Sequence, residues 1–232
     1  GTSGSSGSAG SSGVSGIAGG LVYYMNESLA TSSAISSYKQ WSSNPTGGAQ
    51  QTATVTINSA TPTVIEGFAT DSGVPGATLL QAGNWGFTVH LSIDTNADLS
   101  FYAEVYKYTT SAVSTLLGTT NTQVISASTN VIYQFYTDVF IPSQSLNASD
   151  RLYCLVYVIH NGGANKTITL YTEGTTYYSY VQTTFNPPSG SSGTSGANGT
   201  SGIDGTSGSS GESGTSGSSG SSGESGTSGS SG

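Results

Sequence analysis

The phase of the glycines near both ends of the chain is the feature that most constrains its fold. Glycine occupies every third position from 1 to 19 and from 190 to 232, and the register never changes. A collagen triple helix requires this phase because only glycine fits at its axis, whereas a flexible linker does not. We therefore predict collagen-like triple-helical Gly-x-y segments at 1–20 and 188–232. Their axis positions include Gly190, Gly193, Gly196, Gly199, Gly202 and Gly205.

A disordered linker is the alternative for these flanks. Their triplets contain serine and threonine but no proline, which normally preorganises the extended conformation of a triple helix. Pro187 and Pro188 stand just before the second run of triplets. An isolated triple helix of this composition would be weakly preorganised, so we expect its stability to come from trimerisation of the segment between the flanks.

Charge and cysteine content exclude several classes of protein. The chain has a formal net charge of −8, from 12 acidic residues against 4 basic ones, which disfavours a nucleic-acid partner. No apolar run approaches the roughly 20 residues of a membrane-spanning helix, so we expect no membrane insertion. A lone Cys154 excludes an intrachain disulfide framework and is expected to be a small buried hydrophobic residue.

The segment 21–187 has the composition of an all-β domain. Residues 85–93 alternate large apolar with small or polar side chains, which predicts a strand with one buried face. Alternation also predicts a strand at 101–108, paired with 85–93 as a hairpin through the turn 94–98. Short strands of this kind suit a jelly-roll-like β-sandwich. The other strands are predicted at 21–25, 38–41, 52–58, 63–70, 115–119, 131–141, 151–160, 167–173 and 177–185.

The predicted strand 151–160 is apolar on both faces. One face belongs to the core, and the other requires a cover that a neighbouring subunit would supply. We therefore predict a homotrimer whose interface contains Tyr153, Leu155, Tyr157 and Ile159. The step Asn161-Gly162-Gly163 predicts a hairpin from this strand into 167–171.

Two short stretches resemble a known family. They are GNWGFTVH at residues 83–90 and LNASDRL at residues 146–152. Together with the glycine triplets they resemble the complement globular-head and tumour necrosis factor-like jelly rolls, which also occur on collagen-like fibres of phages and giant viruses and on bacterial spore-surface filaments. The resemblance implies a homotrimer in which each chain contributes one strand of a collagen rod.

This resemblance leads to an expectation about function. The chain is expected to be a structural subunit of an extracellular or virion-surface fibre, such as a viral tail fibre or a cell-surface filament, in which rods alternate with trimerising beads. A bead within a rod must pass the chain between opposite poles, so the strand order is changed or the segment 177–185 runs the length of the domain. The alternative is an adhesin knob on a fibre, which binds cell-surface glycans.

Tyrosine clusters have two interpretations. They occur at Tyr23–Tyr24, Tyr106–Tyr108 and 177–180, and either pack at a trimer interface or form a stacking platform for sugars. Asn-x-Ser/Thr sequences mark candidate N-glycosylation sites at Asn26, Asn147, Asn165 and Asn198.

A calcium site is a candidate at the turn 94–98. Asp94, Asn96 and Asp98 place oxygen ligands at alternate positions, as hard cations prefer. Leu99 stands where an EF-hand needs glycine, so an EF-hand is excluded. A polar turn without metal is the alternative, because Asp and Asn stabilise turns through local hydrogen bonds. Calcium is the sole cofactor considered.

The sequence does not indicate an enzyme. His90 and His160 stand beside no cysteine or acidic pair at ligand spacing, and both are expected to be hydrogen-bonded residues of the surface or an interface. No nucleophile elbow is present. The acidic residues that could supply catalytic carboxylates cannot be paired from sequence alone: they are Glu66, Asp71, Glu104, Asp138, Asp150 and Glu173.

Overall fold

A computed structural model describes residues 20–31, 35–160 and 163–185. Within them the regular elements are all strands, which confirms the all-β class and is consistent with a β-sandwich. The axis glycines from Gly190 to Gly205, both predicted triplet segments apart from Gly20, and Asn198 lie outside the described residues. The strands are β1 (Val22–Ala30), β2 (Lys39–Ser42), β3 (Gln51–Ile57), β4 (Thr63–Ala69), β5 (Leu79–Leu80), β6 (Gly83–Ile93), β7 (Ala97–Tyr108), β8 (Ser114–Thr119), β9 (Gln123–Ala127), β10 (Tyr133–Ile141), β11 (Gln144–Ser145), β12 (Arg151–His160), β13 (Lys166–Thr172) and β14 (Tyr180–Gln182).

The main sheet runs in the order β3-β13-β6-β14-β1-β2-β4-β12-β7-β8. Strands β13 and β14 pair with successive parts of one edge of β6, and β10 pairs with the opposite edge. Strand β9 pairs with β7. Strand β1 pairs with both β14 and β2, so it connects the two halves of the sheet. The halves fold over one another, and the residues of their facing sides form one hydrophobic core.

Alternation along β6 builds half of this core. Its apolar residues are all buried, and Trp85 lies against Trp41 of β2 with ring centroids 6.2 Å apart. From the other half, Phe101 of β7 meets Phe135 of β10 at 5.3 Å. As predicted, Cys154 is buried among these apolar side chains, and burial raises the pKa of its thiol.

The outward side of β12 carries a second hydrophobic cluster. Tyr153 and Leu155 are buried there beneath residues of the same chain, including Ile35. Rings stack in pairs across β12 and β7, Tyr102 on Tyr157 at 4.8 Å and Tyr106 on Tyr153 at 4.7 Å. We call this surface the closed tyrosine face, defined by Tyr38, Tyr102, Tyr106, Tyr108, Tyr153 and Tyr157.

The predicted hairpin between 85–93 and 101–108 is wrong. Strand β6 pairs with β10, β13 and β14, whereas β7 pairs with β12, β8 and β9. The turn 94–98 therefore carries the chain from one layer to the other. Both strands have one strongly apolar side, and these sides pack within the common core instead of lying side by side in one sheet.

The hairpin predicted after β12 is also wrong. Strand β13 pairs with β3 and β6, and β12 pairs with β4 and β7. Asn161 and Gly162 lie outside the described residues. A turn signal marks where a strand ends, but it does not say which layer receives the next one.

The two ends of the described β-sandwich lie side by side. The Leu21 N–H donates to the carbonyl oxygen of Phe185 at 2.8 Å, and the Thr183 N–H donates to that of Leu21 at 2.9 Å. The segment 177–185 forms only the short strand β14 and does not run the length of the domain. The chain therefore enters and leaves the described β-sandwich at adjacent points, whereas a bead between two rods requires these points to lie at opposite poles.

The strands absent from the prediction are short. They are β5, β9 and β11, and two of them have only two residues each, too few for a recognisable alternation. No helix within the described part of the chain is long and apolar enough to span a membrane.

Candidate functional site

A cleft opens beside the outward side of β1, which we call the Glu173 cleft. It encloses about 260 Å³ between a loop after β2 and the turn that follows β13. Its lining combines aromatic walls with a few polar groups, as ligand pockets commonly do. The lining residues are Tyr24, Asn26, Pro45, Thr46, Gly47, Glu173, Gly174, Tyr178 and Ser179.

Glu173 is held in an unusual conformation at this cleft. Its φ of 57° lies in the left-handed region, which costs a residue other than glycine on the order of 1–3 kcal/mol. Its carboxylate accepts two hydrogen bonds from Ser28, at 2.6 Å from the backbone N–H and 2.9 Å from the hydroxyl. These bonds join residues 145 positions apart and fix the carboxylate beside β1.

The carboxylate of Glu173 is buried without a cation. The side chain is only 5% exposed, and no ion pair of Glu173 occurs among residues 20–31, 35–160 and 163–185. The nearby Lys39 instead pairs with Glu27 at 3.1 Å. Desolvation raises the pKa of Glu27, the Lys39 hydrogen bond lowers it, and the charges of Glu66 and Glu173 raise it further. The two bonds from Ser28 use only part of the capacity of this carboxylate to accept hydrogen bonds, so it can also accept one from a positively charged group of a ligand.

Two further polar groups line the cleft. The Asn26 amide is buried and donates to the Asn44 carbonyl oxygen at 3.0 Å. The hydroxyl of Thr46 is buried and has no hydrogen-bond partner within residues 20–31, 35–160 and 163–185. An unpartnered buried hydroxyl of this kind is uncommon.

Aromatic rings form the outer wall of the cleft. Tyr178 lies 6.1 Å from Tyr24 and 5.6 Å from Tyr180, measured between ring centroids. Tyr178 is exposed and Tyr24 is half-buried, so their ring faces can contact a ligand. Rings of this kind attract cations and the apolar faces of polar molecules.

The proposed calcium ligands have partners within the protein. Asn96 accepts bonds from the backbone and hydroxyl of Thr129, at 2.6 and 2.9 Å. Asp98 accepts one from Ser126, and Asp94 accepts one from Thr95. No group of three His, Cys, Asp or Glu residues able to hold a metal occurs in the described ranges. Calcium at Asp94, Asn96 and Asp98 stays a prediction.

The predicted interface and glycosylation residues occupy different environments. Tyr153 and Leu155 are buried within the chain, whereas Tyr157 and Ile159 are partly exposed. Asn26 is buried in the Glu173 cleft, and Asn147 and Asn165 are exposed. Trimer contact, glycosylation, the domain boundaries and the extracellular location stay predictions.

Both histidines are buried, whereas hydrogen-bonded residues of the surface or of an interface were expected. Burial lowers the pKa of His90, against a backbone hydrogen bond at Tyr178 that raises it. The backbone N–H of His90 donates to Ser179 Oγ at 3.0 Å, and the Ser179 hydroxyl in turn donates to the Tyr171 carbonyl oxygen. The Nδ1 atom of His160 contacts the backbone oxygen of Asp98 at 3.3 Å.

Solved structures with a similar fold include an aminopeptidase and a CocE/NonD family hydrolase. An aminopeptidase from a marine sediment Thaumarchaeota archaeon is similar at 8% identity and a TM-score of 0.53, over 70% of this chain and 36% of its own. A CocE/NonD family hydrolase from Staphylococcus aureus is similar at 10% identity and a TM-score of 0.50, over 71% and 36%. An α-amino acid ester hydrolase has 12% identity and a TM-score of 0.49, over 72% and 36%. No protein-family model and no curated protein matches the sequence.

These likenesses show the fold, and the activities named belong to those proteins. The chain spans about a third of the length of the solved structures it matches. They contradict the resemblance to collagen-like fibre proteins with complement-head or tumour necrosis factor-like domains. The stretches at 83–90 and 146–152 reflect strand alternation and a capped turn, in which Asp150 accepts the Asn147 N–H at 3.0 Å, and neither is specific to one family.

The functional expectations from the sequence are corrected by these likenesses. The predictions of a fibre subunit, of a glycan-binding knob on a fibre and of a protein that is not an enzyme are contradicted, because the reported structures of similar fold are an aminopeptidase and a CocE/NonD family hydrolase. Glu173 was one of the acidic residues that the sequence could not place. Its left-handed backbone and its bonds to Ser28 carry no signal in the sequence, although a glycine directly after an acidic residue often marks a tight turn.

Proposed function

We propose that this chain is the β-sandwich part of a hydrolase and that its Glu173 cleft binds the protonated amine of a substrate. The observation that carries the proposal is the buried Glu173 carboxylate, which has no cation beside it within the described residues. A bound ammonium group would neutralise this charge. A charge-assisted hydrogen bond to a carboxylate contributes more than a neutral one.

The walls of the cleft suit the same ligand. Tyr24 and Tyr178 offer ring faces that attract a cation. No lysine or arginine is among the lining residues described for this cleft. The net charge of −8 also favours the approach of a cation over that of an anion.

The class of substrate follows from the fold neighbours only as an analogy. One of them is an aminopeptidase, whose name implies action at the amino end of a peptide. A protonated amino-terminal amine carries a positive charge, and no lysine or arginine of the described lining supplies one in the Glu173 cleft. Esters or peptides with such an amine are therefore the proposed substrates.

The experiment is a calorimetric titration of the full chain with L-leucinamide and with N-acetyl-L-leucinamide, which lacks the charged amine. We expect the first compound to bind and the second to bind at least about tenfold more weakly. The substitution Glu173→Gln keeps an acceptor for the Ser28 N–H but removes the charge, so it should weaken L-leucinamide binding by a similar factor.

Asp94→Asn is the matched control, because it removes one negative charge from an exposed turn. It should leave L-leucinamide binding unchanged. Equal binding of the two amides, or full binding by Glu173→Gln, would refute the amine proposal. Turnover of L-leucine methyl ester that falls in Glu173→Gln would extend the proposal from binding to hydrolysis by this chain.

Homotrimeric assembly of a jelly-roll-like sandwich is a separate proposal. Tyr157 of the closed tyrosine face and Ile159 of the same strand remain partly exposed and are available for contact with a second copy. Sedimentation equilibrium of the full chain distinguishes a trimer from a monomer.

A further inference from the structure

A second groove crosses the outward side of β10, β6 and β14, next to the Glu173 cleft: its wall residue Tyr180 stacks on Tyr178 of that cleft with ring centroids 5.6 Å apart. Strand register places Tyr136 and Tyr180 on either side of Thr88. Two residues further along the strands on the same face, it places Asp138 and Gln182 on either side of Gly86. Because neighbouring strands lie about 4.8 Å apart, the two tyrosines stand roughly 10 Å from one another across the groove.

The groove is open because its floor has no side chain at one position. A Cβ atom added to Gly86 would meet nothing within 4 Å. The groove encloses about 330 Å³ between the Tyr136 and Tyr180 rings. Tyr136 is 67% exposed, which is unusual for a large aromatic residue on a sheet and marks a surface that the described part of the chain leaves uncovered.

Polar groups alternate with the rings. On β10 the outward residues are Tyr136, Asp138 and Phe140, so a carboxylate stands between two aromatic rings. Phe140 is 61% exposed and lies four residues from Tyr136, a separation of roughly 13 Å along the strand. Asp138 and Gln182 are both exposed at the Gly86 row and offer acceptors and a donor to a molecule lying there.

We propose that this groove binds an uncharged oligosaccharide. A sugar ring has apolar C–H faces that stack on Tyr136 and Tyr180 and a rim of hydroxyl groups that bond to Asp138 and Gln182. Rings further along a sugar chain reach Phe140. The absence of lysine and arginine from the described lining, together with the Asp138 carboxylate, opposes an anionic ligand.

Other occupants fit this geometry less well. An extended peptide binds at a sheet edge, where unpaired backbone groups are available, but this groove lies on the face of strands whose backbones are already paired. A stable protein partner buries about 800 Å² on each side, which is a much larger surface than this narrow groove.

The test is a calorimetric titration of the full chain with cellohexaose, xylohexaose and mannohexaose, with hexagalacturonate as the charged comparison. We expect at least one neutral compound to bind at millimolar concentration or below and hexagalacturonate not to bind. Tyr136→Ala should weaken that binding at least about tenfold. Gly86→Leu should abolish it by filling the floor, where the structure has room for a side chain.

Val124→Ala is the control, because Val124 is an equally exposed apolar residue on β9. It should bind like the unchanged chain, and circular dichroism of each variant checks that the fold is retained. Failure of all three neutral compounds to bind, or full binding by Tyr136→Ala, would overturn the proposal. Glu173→Gln should leave oligosaccharide binding intact and Tyr136→Ala should leave L-leucinamide binding intact, so failure of one site is distinguishable from failure of the other.

Discussion

Both outward faces of the sandwich carry several tyrosines but use them differently. On the closed tyrosine face the rings stack on one another, and Tyr153 is only 6% exposed. On the opposite layer Tyr24, Tyr136, Tyr178 and Tyr180 form what we call the open tyrosine face, where Tyr136 is 67% exposed. The same residue type therefore covers one sheet and lines candidate binding sites on the other.

Register explains the contrast between the stacked rings of the closed face and Tyr136. On the closed face each central tyrosine has another directly opposite, Tyr153 across from Tyr106 and Tyr157 across from Tyr102. On the open face Tyr136 stands opposite Thr88, and the next row holds Gly86. The closed-face rings cover one another, whereas Tyr136 borders a groove because the residues opposite it are small. Tyr24 and Tyr180 of the open face also stand opposite one another, and both remain partly exposed.

The largest effect is expected from truncation on the closed face. Tyr153→Ala removes a ring that stacks on Tyr106 and contacts Tyr38 and Tyr108. The cavity should lower the free energy of unfolding by about 3–5 kcal/mol, as for other large buried aromatic residues. Urea denaturation monitored by circular dichroism measures it. A loss below about 1 kcal/mol would mean that the closed face is not part of the core.

The second-largest effect is expected from alkaline pH, which should lower the free energy of unfolding through ionisation of the tyrosines of the closed tyrosine face. Burial, followed by the charge of Glu104, raises the pKa of Tyr157 from 10.0 to about 12. A tyrosine whose pKa is higher in the folded state stabilises the protein fully below pH 10 and loses that contribution as the pH rises toward 12. The pKa is also raised, chiefly by burial, for Tyr38, Tyr102, Tyr106 and Tyr153.

The measurement is the urea midpoint as a function of pH from about 8 to 12. It should fall above pH 10, and Glu104→Gln should make the fall smaller, because it removes a negative charge that opposes ionisation of Tyr157. A midpoint that does not change over this range would contradict the buried, protonated state of these rings.

The smallest effect on stability is expected on the open face. Tyr136→Ala removes a ring of similar size, but one that is mostly solvated, so the free energy of unfolding should change by less than about 0.5 kcal/mol. The same urea denaturation, run beside Tyr153→Ala, checks it. A loss of about 2 kcal/mol or more would show that Tyr136 supports the fold and would remove the contrast between the faces.

Much of the local structure could be predicted because alternation follows from burial. The strand 85–93 was predicted from its pattern, and β6 contains it entirely. The strand 151–160 has the predicted bounds, with Cys154 and Val156 in the core. The order of the strands could not be predicted, because apolar strands on either side of a turn pack equally well side by side or face to face.

The candidate sites depend on that order. Thr88, Tyr136 and Tyr180 meet only because β10 and β14 pair with opposite edges of β6. Glu173 meets Ser28 through the pairing of distant strands and a left-handed backbone, and neither has a local pattern. Tyrosine clusters were visible in the sequence, and their two interpretations, a trimer interface and a stacking platform for sugars, stay predictions.

The hydrogen bonds between Leu21 and Phe185 have a consequence for protein architecture. Since the first and last described strands are neighbours, the sandwich could be inserted into a surface loop of a host protein while barely separating the two points of attachment. It should equally tolerate circular permutation, with residues 21 and 185 joined by a short linker and new termini opened in the exposed loop at 110–113. The β-sandwich is therefore suited to insertion as a domain into other proteins.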